Sequence, residues 1–336
     1  MNTFDIIGQS ALINRLKIAL ESGRIVHSYI FAGLPGAGKR TLSNFFAKML
    51  LCDGGSKPCN TCQSCSQVDS QNHPDLIRLT SQTKTIGVEP IRELRADIGI
   101  KPFQGSRKIY IIEKGDTMTP QAQNAFLKTL EEPPEYAVII ILADNLAGLL
   151  STIVSRCQII RIPGLSTRQV AEIIERKANI SSEMALVFAR LSEGLPGKGL
   201  DLALSQEYRE MREESLKILE GLSKSSLVQA MGYIDYFLDN RDKAIEILDL
   251  MELWLRDALV LKQSSCQDII INMDKLTYIK SLANNFTLSH IQCIIENIED
   301  SKKMLMSHAN FHLAIENLLM KIQGSGEYVR SSRSTV

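Results

Sequence analysis

The sequence carries no net charge, because its 38 Lys and Arg residues are balanced by 38 Asp and Glu residues. A chain without net charge has no overall field that draws it to nucleic acid or to anionic lipid. Any contact with DNA must therefore be local or shared with partners. The hydrophobic content of 44% and the charged content of 23% are those of an ordinary globular protein.

Long apolar runs are also absent. No segment approaches the ~20 apolar residues that a membrane-spanning helix needs. The first residues, Met1 to Asp5, do not form a basic region followed by an apolar one, as a secretory leader would. We therefore expect a cytoplasmic protein, long enough at 336 residues for two or three domains of ~100 to 200 residues each.

Cysteine is scarce but clustered. Four of the seven cysteines follow the pattern Cys52-x6-Cys59-x2-Cys62-x2-Cys65. This spacing differs from an extracellular disulfide framework, and four thiolates at short range are the donor set of a structural, tetrahedral zinc site. The alternative is four reduced cysteines in a loop, but the segment is otherwise polar and has no other reason to fold. The sequence therefore predicts a structural zinc site in residues 52–65.

A glycine-rich loop follows an apolar run and opens a helical pattern. Its residues are Gly33-Leu34-Pro35-Gly36-Ala37-Gly38-Lys39-Arg40-Thr41. Glycines let backbone N–H groups turn towards a phosphate chain, the helix N-terminus adds positive potential, and the lysine adds a full charge. The pattern predicts a phosphate site formed by Gly33, Gly36, Gly38, Lys39, Arg40 and Thr41.

The residues that would hold magnesium and water depart from this signature at two places. Ser or Thr normally follows the lysine and binds magnesium through its hydroxyl, whereas here Arg40 follows it and the hydroxyl comes one residue later, on Thr41. The predicted strand 107–113 ends in Glu113 and is followed by Lys114. Hydrolytic P-loop enzymes use acids there to hold magnesium and orient water. Because a lysine cannot orient water, the hydrolytic machinery is incomplete.

Strand-like runs alternate with helical patterns up to residue 163. The predicted strands lie near 29–31, 73–79, 107–113, 136–142 and 158–163, with helices at 10–22, 88–94 and 120–130. Such alternation is typical of an α/β layer with a mostly parallel sheet. From Thr167 onward helical periodicity dominates.

The predicted domains are 1–163 (α/β), 164–205 (small, helical) and 206–323 (all helical), with a disordered tail at 324–336.

The clearest helical pattern covers residues 243–262. Its apolar stripe includes Met251 and Trp254 at three- and four-residue steps. Such a stripe is far more often core than a cofactor site, so we expect both side chains to be buried. We expect the same of Met304 and Met306 in the last helical region.

Several motifs occur in an order that resembles a known family. They are Gly8-Gln9, His27-Ser28-Tyr29-Ile30-Phe31, the glycine loop, the four cysteines, the run from Asn124 to Pro134, and Ser155-Arg156-Cys157. Over residues 4 to about 205, and more loosely in the last helix, the chain resembles the AAA+ clamp-loader subunits of bacterial DNA polymerase III. The resemblance implies an AAA+ P-loop domain with a zinc-module insert, a helical lid domain and an all-α collar domain that holds a ring of subunits together.

Within that family the residues favour the delta prime branch over the gamma/tau motor. The motor has Ser or Thr after the P-loop lysine and an Asp-Glu pair at the strand end, where this chain has Arg40 and Glu113-Lys114. The resemblance implies a subunit without ATPase activity of its own, with ATP or ADP possible at a degenerate P-loop. It also implies a hetero-pentamer with gamma/tau and delta subunits, which loads the sliding clamp onto primed DNA for the DNA-directed DNA polymerase III holoenzyme, a nucleotidyltransferase.

The resemblance assigns two further roles. In the family, the arginine of the Ser155-Arg156-Cys157 motif reaches the γ-phosphate held by a neighbouring subunit, which makes Arg156 an arginine finger in trans, with Ser155 beside it. The alternative role for Arg156 is a structural salt bridge. Lys198 occupies the place of the family's nucleotide-sensing lid arginine, and it lacks the bidentate fork of arginine.

Two other functions remain open on the sequence. One is an active ATPase motor in which Thr41 or Arg40 is accommodated and Glu113 holds the metal. The other is a zinc-dependent DNA-binding protein that reads DNA through residues 52–65. That segment has Lys57 as its one basic residue and contains no aromatic residue, which makes it poorly suited to phosphate or base contacts.

Overall fold

The structure, a computed structural model, describes residues 6–80, 83–224, 227–264, 269–307 and 309–333, with the backbone alone at 224 and 324–333. The chain divides into two compact units. The first comprises Met1–Lys177 with Ser192–Leu200, and the second comprises Ala178–Leu191 with Asp201–Val336. The segment 164–205, which the sequence predicts to be a separate helical domain, is thus divided between the two units.

The first unit is built on a five-stranded sheet in the order β2-β3-β4-β1-β5. Its strands are β1 (Ser28–Ala32), β2 (Leu76–Leu79), β3 (Lys108–Ile112), β4 (Ala137–Ala143) and β5 (Gln158–Arg161). The helices of this part of the chain are α1 (Ser10–Glu21), α2 (Lys39–Leu51), α3 (Gln63–Asp69), α4 (Val88–Ile98), α5 (Pro120–Glu131), α6 (Ser151–Val154) and α7 (Thr167–Ala178). All four strand pairs are parallel, which confirms the predicted α/β fold.

The central strands β1, β3 and β4 are buried along their whole length. Successive side chains of a strand point to opposite faces, so a strand covered on both faces needs an unbroken apolar run. On one face, Phe31 belongs to a core cluster with Phe46 of α2. On the other face, Ile112 belongs to a cluster with Phe126 of α5. The apolar runs in the sequence therefore correspond to strands between two helical layers.

The parallel sheet brings three loops to one edge. Because β1, β3 and β4 are adjacent and run in the same direction, their carboxyl ends lie side by side. The glycine loop follows β1, Glu113 follows β3, and Asp144 follows β4. Ligands of open α/β sheets bind outside this edge of the sheet.

The remainder of the described chain is helical. The helices are α8 (Ser182–Leu191), α9 (Pro196–Leu204), α10 (Gln206–Lys224), α11 (Leu227–Met231), α12 (Ile234–Asp239), α13 (Ala244–Gln263), α14 (Leu276–Asn285), α15 (Leu288–Met306) and α16 (Phe311–Arg333). Across the described residues, no helix combines the length and the apolar character that crossing a membrane requires.

The core of the second unit confirms one expectation and corrects another. Met251 and Trp254 of α13 are 0% and 1% exposed, as their stripe predicts. Met304 and Met306, near the end of α15, are instead 42% and 61% exposed, so the expectation that they are buried is wrong. Helical spacing identifies an apolar face, but whether another helix covers that face depends on the tertiary packing.

The last helix is longer than the sequence predicts. α16 continues to Arg333, although residues 324–336 were expected to be a disordered tail. Its earlier turns are anchored by buried residues such as Ile315 and Leu319, and adding a residue to an existing helix costs far less than starting one. Residues 334–336 of the predicted tail lie outside the described residues.

A buried ionic network joins α10 to the segment before α14. The guanidinium of Arg212, 2% exposed, donates to both carboxylate oxygens of Asp274, at 2.7 and 3.0 Å. It also donates to Asn272 at 2.9 Å, and it lies 4.7 Å from the ring centroid of Trp254. Asn272 in turn donates to the fully buried carboxylate of Asp257. Nothing in the spacing of the sequence indicates this network.

Candidate nucleotide and metal sites

The glycine loop turns through two residues with positive φ. Gly36 and Gly38 have φ values of +80° and +95°, which residues with a Cβ rarely adopt. A Cβ on Gly36 would also lie 2.9 Å from the backbone nitrogen of Lys198. Helix α2 begins at Lys39, directly after Gly38. The two glycines are therefore required by the shape of the loop that leads into the helix.

The ammonium group of Lys39 is held by oxygen atoms of its own chain. It donates to the carbonyl oxygens of Gly33 at 2.6 Å and Leu34 at 2.8 Å, and it lies 2.5 Å from Asp144 Oδ1. The Lys39 side chain is 10% exposed and that of Asp144 is 37% exposed. A phosphate group that recruits Lys39 must therefore replace Asp144 as its partner.

The residue in the place of the magnesium-binding hydroxyl pairs with the acid at the end of β3. Arg40 Nε lies 3.1 Å from Glu113 Oε1. The Arg40 side chain is 57% exposed and that of Glu113 is 20% exposed. Thr41 lines a cavity beside the glycine loop. The residue that replaces the metal-binding hydroxyl thus pairs with the carboxylate that would hold the metal, and Lys114 takes no part in this ion pair.

A cavity of about 370 Å³ lies beside the loop, wholly within the first unit. This volume is within the range of ~300 to 1,000 Å³ that is usual for small-molecule sites. Its walls combine apolar side chains, such as Ile7, Leu165 and Ile173, with the charged groups around Lys39. An apolar wall next to a phosphate loop fits a nucleotide, because the base is apolar on its faces and the phosphates are anionic.

Arg156 and Ser155 lie away from this cavity. Neither is among the described residues that line it. Arg156 donates to the carbonyl oxygen of Thr152 at 3.0 Å and lies 2.8 Å from Glu131 Oε1. Ser155 Oγ also donates to Thr152, at 3.1 Å. The Arg156 guanidinium is therefore held at the surface, beyond the chain's own candidate nucleotide site.

Lys198 is turned towards a neighbouring acid. Its Nζ lies 3.1 Å from Glu193 Oε1, and its side chain is 44% exposed. Gly197, the preceding residue, contacts the loop instead, because its backbone N–H donates to the carbonyl oxygen of Gly36 at 2.8 Å. Among the described residues, Lys177 lines the cavity and Lys198 does not.

The four clustered cysteines meet as their spacing predicts. All four sulfur atoms lie within 4.8 Å of one another, and the Cys52–Cys62 and Cys59–Cys65 sulfur pairs are 3.9 Å apart. In a tetrahedral site with Zn–S bonds of about 2.3 Å, the sulfur atoms are about 3.8 Å apart. The cluster can hold a metal ion, and its donors and distances are consistent with zinc.

Backbone N–H groups surround the cysteine sulfurs. The N–H groups of Gly54 and Cys59 both donate to Cys52 Sγ at 3.3 Å. Backbone hydrogen bonds from Thr61 and Cys62 lower the pKa of Cys59 to about 5, because they favour the thiolate. Burial raises the pKa of Cys65. The backbone therefore favours the thiolate of Cys59, which is the form that binds metal, whereas burial opposes ionisation of Cys65.

An ion pair fixes the cysteine segment to helix α2. Lys48 of α2, which is 1% exposed, lies 2.5 Å from Asp69 at the end of α3. α3 begins directly after Cys62, whose sulfur accepts from the backbone N–H of Cys65. The cluster thus orders α3 on one side, and Lys48 holds α3 against α2 on the other.

The sequence patterns do not indicate three charged residues of this part of the fold, two of which, Asp144 and Lys177, line the cavity. The third is Arg78, which donates to Asn44 of α2 at 2.6 Å. Asp144 could have been found, because it comes directly after a strongly predicted buried strand. Arg78 and Lys177 had no such signal, because their positions depend on the pairing of β2 and on where α7 packs.

The parallel sheet, the glycine loop and the acid after β3 define a P-loop α/β protein of the AAA+ type. Two family models match the chain: "DNA polymerase III, delta subunit" over residues 8–166, and "DNA polymerase III, delta subunit, C terminal" over residues 209–324. Together these matches cover most of the sequence. The chain belongs to the DNA polymerase III delta subunit family that these two models describe.

Similar proteins agree with this assignment. The delta prime subunit of DNA polymerase III from Bacillus subtilis (strain 168) is 29% identical over 325 residues, which is 94% of this chain and 96% of the relative. The delta prime subunit from Escherichia coli (strain K12) is 27% identical over 92% of each chain. The tau subunit from the same organism is 33% identical over 74% of this chain, but the match covers 37% of tau. The resemblance to delta prime therefore extends along the chain, whereas that to tau covers part of a longer protein.

Proposed function

We propose that this chain is a non-hydrolysing stator subunit of a clamp loader, which completes the active site of a neighbouring ATPase subunit through Arg156. Its partners in this role are gamma/tau and delta subunits in a hetero-pentamer, and the assembled complex loads the sliding clamp onto primed DNA. The chain itself catalyses no nucleotidyl transfer, because that chemistry belongs to the polymerase.

The observation that carries the proposal is the position of Arg156. Its side chain is 37% exposed and pairs with Glu131, which is 47% exposed, outside the cavity beside the chain's own glycine loop. An exposed ion pair of this kind contributes ~0 to 1 kcal/mol, so a phosphate on a neighbouring subunit can replace Glu131 at little cost. Arginine suits that role because its planar fork matches phosphate oxygens.

The ion pair between Arg40 and Glu113 supports the non-hydrolysing part of the proposal. Phosphoryl transfer depends on a metal ion and on a residue that orients the attacking water. Here Glu113 is already paired with Arg40, and Lys114 follows where an orienting acid would be needed. The same pair weighs against an active motor, because a metal ion would have to displace a guanidinium from Glu113.

We expect the purified chain to show no ATP turnover above background in the presence of magnesium. The physical reason is that it lacks both the metal-binding hydroxyl and the water-orienting acid. A coupled phosphate-release assay measures the rate, with the Lys39→Ala variant as the matched control. Turnover at the rate of a motor subunit, abolished by Lys39→Ala, would contradict the proposal.

We further propose that the four-cysteine cluster holds structural zinc and that the glycine loop holds ATP or ADP. Four thiolates leave no open coordination position, so such a site is structural rather than catalytic. By binding Cys52, Cys59, Cys62 and Cys65 together, zinc would fix the loop between α2 and α3. Residues 52–65 do not suit a DNA-binding role, since Lys57 is their one basic residue.

Replacing Cys65 by serine is expected to reduce the zinc content of the purified chain from about one ion per chain to a small fraction of that value. Serine is a poor zinc ligand, and Cys65 is 0% exposed at the centre of the cluster. Inductively coupled plasma mass spectrometry measures the zinc content. Cys293→Ser is the control, because Cys293 is exposed and lies outside the cluster. Equal zinc in the two variants, or none in the wild type, would refute the assignment.

A further inference from the structure

The place where a P-loop protein holds magnesium is taken by a side chain. Magnesium in such sites is bound by the hydroxyl after the P-loop lysine and by an acid on a neighbouring strand. In this chain Arg40 replaces the hydroxyl, and its Nε lies 3.1 Å from Glu113 Oε1. The residues present therefore do not fit a magnesium ion, because the carboxylate that would bind it already faces a cation.

The guanidinium of Arg78 lies in the field of the same ion pair. Burial lowers the pKa of Arg78, the charge of Glu113 opposes that lowering, and the charge of Arg40 adds to it. Arg78 is held in place by its hydrogen bond to Asn44. Glu113 faces the guanidinium of Arg40 at 3.1 Å, and a divalent cation at this position would be repelled by that charge.

The cavity supplies positive charge of its own. The ionisable residues that line it are Lys39, Arg40, Lys114 and Lys177 on the basic side and Glu113 and Asp144 on the acidic side. The excess of two positive charges equals the charge of one magnesium ion. Lys114 and Lys177 form no ion pair with any residue that the structure describes, so they are free to face an anionic ligand.

We infer that this cavity binds the phosphates of a nucleoside diphosphate or triphosphate without a divalent cation, with the guanidinium of Arg40 in the role of the metal. This inference rests on the proposed nucleotide site at the glycine loop. Arg40 is suited to the role because its side chain is 57% exposed. It meets Glu113 through Nε, which leaves the two terminal nitrogens of the guanidinium to reach a phosphate while Glu113 stays paired.

The test is a fluorescence-anisotropy titration of the whole chain with a fluorescent ADP or ATP analogue, in magnesium and in EDTA. We expect the two dissociation constants of the wild type to agree within about threefold, because no bound metal contributes to affinity. In Arg40→Ser, which restores the missing hydroxyl, EDTA should weaken binding by about tenfold or more, and magnesium should recover it. Arg40→Lys, which keeps the charge, should remain insensitive to EDTA.

Two results would overturn the inference. One is wild-type binding that EDTA weakens tenfold or more, and the other is no binding in either condition. Lys39→Ala, which should abolish binding in both conditions, confirms that the signal comes from this cavity. These outcomes test nucleotide binding in this cavity and leave the stator proposal untouched. The stator proposal is tested through Arg156 and through the absence of turnover, and neither test requires nucleotide in this chain's own cavity.

Discussion

Replacing Arg156 by alanine is expected to suppress DNA-stimulated ATP hydrolysis by a reconstituted clamp loader while leaving its assembly intact. An arginine that reaches a neighbour's γ-phosphate stabilises the charge of the transition state, which is worth a factor of ~10³ to 10⁵ at the site it completes. Steady-state phosphate release measures turnover, and gel filtration measures assembly. The turnover that remains should come from the sites that this chain does not contact.

The controls separate charge, geometry and general surface effects. Arg156→Lys keeps the charge but loses the bidentate fork, so it should recover a minor part of the activity. Arg176→Ala removes another exposed arginine, which pairs with Glu172 on its own helix, and should leave turnover unchanged. Wild-type turnover in a loader that contains Arg156→Ala would refute a role in trans.

Replacing Arg212 by methionine is expected to destabilise the second unit by about 3–5 kcal/mol, because removing one partner of a buried ion pair leaves the other charge uncompensated. Asp274 would lose both hydrogen bonds from the guanidinium, and Asn272 would lose its contact as well. Trp254 is the one tryptophan of the chain, so its fluorescence during urea unfolding reports on this unit directly.

The matched control for Arg212 is an exposed ion pair. Lys217 lies on the same helix α10 and pairs with Glu214, with side chains that are 65% and 42% exposed. Lys217→Ala should therefore change the free energy of unfolding by less than about 1 kcal/mol. If Arg212→Met also stayed within that limit, the buried network would not contribute to the stability of the unit.

The fold and the glycine loop could be predicted because both depend on local patterns. The strands β1, β3 and β4 are short apolar runs rich in branched residues, and each run is bounded by residues that end a strand. The glycine loop is recognisable because Gly36 and Gly38 adopt conformations that other residues rarely adopt. The four cysteines are close together in the sequence, so their meeting in the structure required no knowledge of the tertiary fold.

The charged partners of the site could not be predicted, because they come from distant segments. The pairing of Arg40 with Glu113 joins α2 to the end of β3, and that of Lys39 with Asp144 joins α2 to the end of β4. A sequence shows that Arg40 and Glu113 are each unusual, but not that they face each other. The same limit applies to Lys198. The sequence gives its position in the chain, but the pairing of its side chain with Glu193 depends on tertiary packing.

The most direct test of the account compares two substitutions in this chain within one reconstituted clamp loader. If the chain contributes to hydrolysis only at its neighbour's site, Lys39→Ala should leave DNA-stimulated turnover near the wild-type rate, and Arg156→Ala should reduce it strongly. The opposite pattern, with turnover lost in Lys39→Ala and retained in Arg156→Ala, would show that the chain hydrolyses ATP in its own cavity.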